Sequence, residues 1–163
     1  MALDMFITFK TPNIKGESVD KAMKDSVDIL AWSWGASNSG STHVSAGSGA
    51  GKANFQDLSF TKYQDSASAP LMIALAKGTH LTEVILTMRK AGDGQKPFYV
   101  ITLGDVLVSS ISLGGSGGED RLTENVTLNF GNINITYSSQ SATGAVTPGT
   151  PFKWDIQANA ETK

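Results

Sequence analysis

Ser116 stands at the centre of GGSGG, residues 114–118, a tract that formally satisfies G-x-S-x-G. In hydrolases that pattern marks a sharp strand-to-helix turn that lifts a serine hydroxyl towards a histidine base. Here the helix and the later histidine are both missing: His43 and His80 precede Ser116, and RLTENVTLNF after the tract reads as a strand. A second glycine-rich stretch, AGSGAGKA from Ala46 to Ala53, approaches the phosphate-cradling G-x-x-x-x-G-K-[ST]. It has Ala46 for the first glycine and Ala53 for the magnesium-binding hydroxyl, and a strand pattern rather than a helix follows it. Glu119, Asp120 and Glu124 have the chemistry of acid–base carboxylates, but with Arg121 among them they read as a solvated turn with a local ion partner. His43, in a Ser/Gly loop, and His80, at a strand start, read as solvated rather than metal-bound. No catalytic residue, cofactor or metal is assigned, and the chain is expected not to be an enzyme.

The elements that would position these residues are mostly strands. Met5 to Phe9 reads as a first strand ended by Thr11-Pro12-Asn13, and Ile14 to Asp25 as a loop. Ser26 to Ser37 alternates as one long strand, with Trp32 and Trp34 on its more buried face, and Asn54 to Tyr63 alternates as another. Between them, Ser37 to Lys52 is a low-complexity Ser/Gly loop with no core-forming residues. Ser66 to Lys77 is the one helix, with Ser68, Asp65 or Ser66 as its cap, Pro70 in its first turn and Gly78 after its end. Leu81 to Lys90 and Phe98 to Leu113 follow, with an interruption at Gly104-Asp105. After the glycine tract, the apolar parity of Val126, Leu128 and Phe130 switches to that of Ile133 and Ile135, which predicts a β-bulge at Gly131-Asn132. Ser138 to Gly149 is a polar loop, and Phe152 to Ile156 a closing strand. Reverse turns in place of crossovers describe a mostly β, two-sheet antiparallel barrel or sandwich with one short side helix.

The chain has 163 residues, enough for one domain spanning 1–163. Charged residues make up only 17%, and the net charge is -2, so much of the surface is neutral Ser, Thr, Gly and Asn. Without a concentrated basic face, nucleic acid is excluded as the main partner. There is no cysteine, hence no disulfide or thiolate site. MALDMFITFK carries Asp4 in its first apolar run and lacks a basic leader, so no cleavable signal peptide is expected, and no apolar run is long enough for membrane insertion. The expected product is soluble and made in the cytoplasm.

Several strings taken together closely resemble the haemolysin-coregulated protein (Hcp) family of type VI secretion. They are DMFITF at Asp4, KGES at Lys15, ILAWSWG at Ile29, DLSFTKY at Asp57, VLVSSISLGGSGGEDRLTENVTLNF at Val106 and FKWDIQAN at Phe152, so the resemblance covers essentially the whole chain. It implies a small β-barrel that forms a homohexameric ring. Rings stack into the inner tube of the secretion machine, with spike and sheath proteins and small effector proteins as partners and export without a cleaved leader. On that basis Ser33 and Ser116, both small and neutral, are assigned to effector contact in the ring lumen; the other reading places Ser33 on the small side of a strand and Ser116 on an exposed turn. The long loop, represented by Ser41, His43, Val44, Ser48 and Lys52, is assigned to contacts between subunits or rings. The alternative function is a carbohydrate- or ligand-binding β-sandwich built on Trp32, Trp34 and Trp154.

Overall fold

The structure, a computed structural model, describes residues 2–40, 43, 49–90 and 94–163. Among these the elements run β1 (Leu3–Lys10), β2 (Val27–Asp28), β3 (Ala31–Ser33), β4 (Ala36–Gly40), β5 (Ala50–Phe55), β6 (Leu58–Tyr63), α1 (Ser68–Lys77), β7 (Leu81–Lys90), β8 (Pro97–Gly114), β9 (Thr123–Gln140), β10 (Val146–Pro148), β11 (Phe152–Asp155) and β12 (Ala160–Glu161). No helix among the described residues is long and apolar enough to cross a membrane.

All pairings are antiparallel, in the order β12-β11-β9-β8-β7-β1-β2; β10 and β6 also pair with β9, and β3 pairs with β6. The shared strand is β9. Its first half, Thr123–Leu128, lies between β8 and β6, and its second half, Asn132–Ile135, between β8 and β11. The two halves fold over one core that includes Ile7, Phe9, Leu58, Phe60, Leu86, Ile101 and Leu128. Each such fully buried side chain contributes about 1.5–3 kcal/mol.

The two-sheet antiparallel fold with a side helix is as expected, but it is not a closed barrel. The ladder breaks between β2, which pairs with β1, and β3, which pairs with β6. Ile29 and Leu30 bridge the break with single N–H bonds, to Met5 O at 3.1 Å and Thr61 O at 2.8 Å. Inward parity changes there: Val27 and Ile29 are buried, then Trp32 faces in opposite Phe60. The single strand anticipated from Ser26 to Ser37 is therefore divided among β2, β3 and β4, and the one from Asn54 to Tyr63 divides at Gln56-Asp57. The Ser/Gly tract is not structureless at its ends, because Ala36–Asn38 pairs with Ala53–Phe55 and Gly40 with Ala50. Likewise β10 pairs with Ser138–Gln140 inside the predicted polar loop.

The parity switch on β9 is real, but no bulge causes it. On β8 the buried positions pass from Ile101 and Leu103 to Val106 and Val108; on β9 they pass from Ile133 to Phe130, Leu128 and Val126. Both strands change parity at the same level, so the register runs unbroken through Leu103↔Ile133, Gly104↔Asn132 and Val106↔Phe130. Asp105 adopts φ 52° at this level, where a side chain on Gly131 would begin 3.4 Å from its carboxylate. The bulge lies instead on β8, between Val108 and Ser110.

Helix α1 begins at Ser68 with Ala67, not a polar residue, in the cap position, and ends as predicted on left-handed Gly78. Leu71 and Ala74 are buried in the core, with α1 against β8. The Ser68 hydroxyl is engaged elsewhere, donating to Glu124 Oε1 at 2.7 Å and accepting from Lys62 Nζ at 3.1 Å. Lys62 is wholly buried; its ammonium meets the Glu124 carboxylate, Asp65 Oδ1 at 2.8 Å and Tyr63 O at 2.9 Å. Glu124, anticipated in a solvated turn, is therefore one of the most buried polar groups of the chain. A buried ammonium is tolerable because several oxygens replace its water, and removing one partner leaves the rest uncompensated. Glu124→Leu is expected to lower the unfolding free energy by about 3–5 kcal/mol, and Lys62→Met with Glu124→Leu by less, as read by denaturant unfolding.

Candidate functional site

The half of the sheet made of β3, β6, the start of β9 and the end of β8 has one buried and one open face. Inward go Trp32, Leu58, Phe60, Val126, Leu128 and Ile111, with Lys62 and Glu124 at the end of the same face. Outward the register assembles two cross-strand rows, Ser33–Ser59–Thr127–Ser110 and Ala31–Thr61–Asn125–Ser112. The bulge at Ser109 completes these rows: without the extra residue, the end of β8 would turn its apolar side outward. Ser59 and Thr127 share a hydrogen bond of 3.2 Å, and Thr61 Oγ1 donates to Asn125 Oδ1 at 2.6 Å. Neither row carries a formal charge. A shallow depression of about 230 Å³ lies over Ser33, Ser59, Thr61 and Asn125, with Trp32 and Phe60 at its base.

Ser33 is exposed on this face. Ser116 is exposed at the tip of the β8–β9 hairpin, where its hydroxyl accepts from Gly118 N–H at 3.5 Å and its carbonyl from Glu119 N–H at 3.1 Å. From the Ser110 row to Gly114 is about 13 Å of strand, so the two serines belong to one open side without forming one site. No histidine approaches Ser116 among the described contacts: His80 pairs with Asp105 at 2.8 Å, and His43 is an exposed turn residue. Lys52 is exposed on β5; Ser41, Val44 and Ser48 lie outside the described residues.

Arg121 does not neutralise its neighbours Glu119 and Asp120. Its guanidinium stacks on Tyr63, 4.1 Å from the ring centre, beside a notch of about 490 Å³ lined by Glu17, Asp28, Leu30 and Asp65. Burial pushes the Asp28 carboxyl above its ordinary pKa; the charges of Asp65 and Asp20 add to this, while a Ser18 hydrogen bond and Arg121 oppose it. Sequence reasoning missed this notch because its members come from four separated segments.

A family model described as type VI secretion system effector, Hcp, matches residues 6–137. The chain belongs to the Hcp family. It is 53% identical to protein hcp1 of Pseudomonas aeruginosa strain PAO1 over 163 residues, 99% of each chain. A solved type six secretion system protein superposes with a TM-score of 0.92 at 27% identity, over 99% of this chain and 100% of that one. Hcp1 from Salmonella typhimurium superposes at 0.80 and 31% identity, with the same coverage. Family membership makes this Hcp chain a tube component exported by type VI secretion, and the carbohydrate-binding alternative finds no support. Trp32, one of its three tryptophans, is packed on Tyr99 with ring centres 5.9 Å apart.

Two outcomes follow for the site. Ser33→Gln and Ser110→Gln, both exposed, should leave unfolding free energy within about 0.5 kcal/mol of the parent, so that their functional effects can be read without a folding defect. Asp28 has a raised folded-state pKa, so its ionisation opposes folding once pH rises through that value. Asp28→Asn should accordingly be more stable than the parent at neutral pH, with the difference vanishing below the usual carboxylate range in pH-resolved thermal melts.

Proposed function

We propose that this chain closes head-to-tail into a hexameric ring, that rings stack into the tube, and that the hydroxyl rows on β3, β6, β9 and β8 line the lumen. The observation that carries this reading is a pair of uncharged polar rows, with Asp57 at one end and Arg121 at the other, on a sheet open at both edges. Among the described residues β3 pairs only with β6, and β8 beyond Val108 pairs only with β9. Apolar side chains continue to both edges: Leu113 is 57% exposed on the β8 side and Leu30 44% on the β3 side. Edges of this kind invite pairing, and joining two different edges gives a heterologous contact that can close.

A wall of hydroxyl and amide groups offers donors and acceptors to passing polypeptide without a strong field. Small effector proteins are the cargo in this reading, with Ser33 and Ser116 on the wall. The β4–β5 arm, with Ser41, His43, Val44, Ser48 and Lys52, reaches neighbouring subunits or rings, and spike and sheath proteins are the outer partners. The protein's part is structural, with no chemistry of its own.

Native mass spectrometry and negative-stain images should show six-membered rings with a central hole; a strictly monomeric species across micromolar concentrations overturns the assembly. Ser33→Gln and Ser116→Gln should lower the export or the intracellular level of a cognate effector while rings persist. Unchanged effector levels in both variants remove these residues from the wall.

A further inference from the structure

Two apolar surfaces lie outside the lumen. The β4–β5 hairpin and β11 enclose a groove of about 440 Å³ walled by Trp34, Phe55, Phe152 and Trp154, with Ala36 and Ala53 between them. Trp34 and Phe55 stack at 6.0 Å and 9°, and Phe152 and Trp154 at 6.4 Å and 4°, so the groove is preformed. No charged side chain is among those walls. Strand alternation turns Lys52 and Lys153 to the faces away from it, because Ala53, Phe55, Phe152 and Trp154 hold the facing parity. Glu161, paired across from Trp154, stands at the rim.

The second surface is the outer side of α1. Leu71 and Ala74 face the core, while Ala69, Pro70, Met72, Ile73 and Ala76 are exposed, Ile73 by 52%. Between Ala67 and Ala76 the one polar side chain is Ser68, which is already engaged by Lys62 and Glu124, and the first charge is Lys77 in the last turn. A surface helix ordinarily turns charge outward, and a helix that is apolar all round is one covered on all sides. In the single chain α1 packs on β8 and leaves these residues to solvent.

Register places the two surfaces at matching levels. Ser68 is bonded to Glu124, which pairs with Leu113, and β7, which follows the helix, begins with Leu81 opposite Val106. Helix α1 therefore lies beside β8 between the Leu113 and Val106 levels, the stretch that β7 leaves unpaired. A helix is about 10 Å across and paired strands lie about 4.8 Å apart, so a strand added to that edge comes within reach of α1. In the assembly above that strand is β3 of an adjacent copy, and the chain leaves β3 through Trp34 into the β4–β5 hairpin. With the Ser33–Ser59–Thr127–Ser110 row continued across the junction, Trp34 of the adjacent copy stands at the level of Val108, beside the second half of α1. We propose that the aromatic groove of one copy receives the apolar outer side of α1 from the adjacent copy, with Met72 and Ile73 entering between the β4–β5 hairpin and β11. It is a helix laid in an apolar groove, uncharged on both sides and held by packing without an ion pair. Groove and helix are different surfaces, so the contact is heterologous and can repeat around a closed ring. This docking rests on the edge pairing proposed above and names a second contact that the pairing brings about.

The chain has no cysteine, which makes thiol cross-linking clean. Ile73→Cys combined with Ala53→Cys, treated with a short bismaleimide at ring-forming concentration, should give a ladder of covalent multimers on a denaturing gel that neither single variant gives. Ile73→Asp should leave the thermal unfolding midpoint unchanged and raise the concentration needed for assembly about tenfold or more in native mass spectra. If wild type and the double-cysteine variant form the same rings but no ladder appears, or if Ile73→Asp assembles like wild type, the docking is wrong and the ring stands. Rings that persist in Ile73→Asp while its export is lost also overturn the docking, and give the helix face to another protein. If wild type is monomeric throughout, the edge pairing fails and the docking with it.

Discussion

One strand has to serve two sheets. β9 carries β8 along one side from Thr123 to Tyr137, while its other side takes β6 first and β11 afterwards. Two sheets that fold over a common core need apolar residues on opposite parities of the same strand, and this chain provides them by turning β8 and β9 together at Gly104-Asp105 and Gly131-Asn132. Because both strands turn at once, the register survives, and with it every cross-strand row beyond that level. The bulge at Ser109 is then free for a separate task, that of aligning the end of β8 with the hydroxyl face.

That face is defined as much by what is missing as by what is present. Its two rows hold serine, threonine, asparagine and alanine, and charge stands at their ends or off them: Asp57 with Ser109 and Asn129 at one end, Arg121 over Tyr63 at the other, Lys62 and Glu124 inside, and Glu119 and Asp120 at the tip. A buried ion pair is an expensive way to keep charge off a surface. Here it also ties the end of β6 to the start of β9 and to the first residue of α1, beneath the open face.

Much of this was legible in the residues. Alternation located the long strands β7, β8 and β9, Gly78 located the end of the helix, and the placement of Ser59 and Thr61 opposite Leu58 and Phe60 already outlined the polar side of β6. Ser116 has no later histidine in the chain, and the structure places it on an exposed hairpin between two strands rather than at a strand-to-helix turn. What escaped is what depends on partners distant in sequence. Glu124 lies in a charged stretch and looks solvated until Lys62, which pairs with it across β6 and β9, is placed. The Ser26–Ser37 segment alternates well enough for one strand, but its two ends pair with different neighbours. The β4–β5 pair escaped because its ladder rests on backbone groups, which Ser and Gly supply as well as any residue, and binary patterning cannot see them. The parity switch was seen and misassigned, because from one strand alone a paired turn of both strands and a bulge in one look the same.

The engagement of Ser68 has a consequence for what holds α1 in place. A helix of 10 residues is too short to persist alone in water, and α1 has no side chain free to cap its start. Glu124, which accepts from the Ser68 hydroxyl at the start of the helix, lies 56 residues further along the chain. The helix therefore draws on the paired sheet, because the contacts that hold its first residue require β6 against β9 with the lysine between them enclosed. The helix and the β6–β9 pairing are thus coupled: the contact that seats α1 exists only where the sheet proposed to serve the assembly is itself formed.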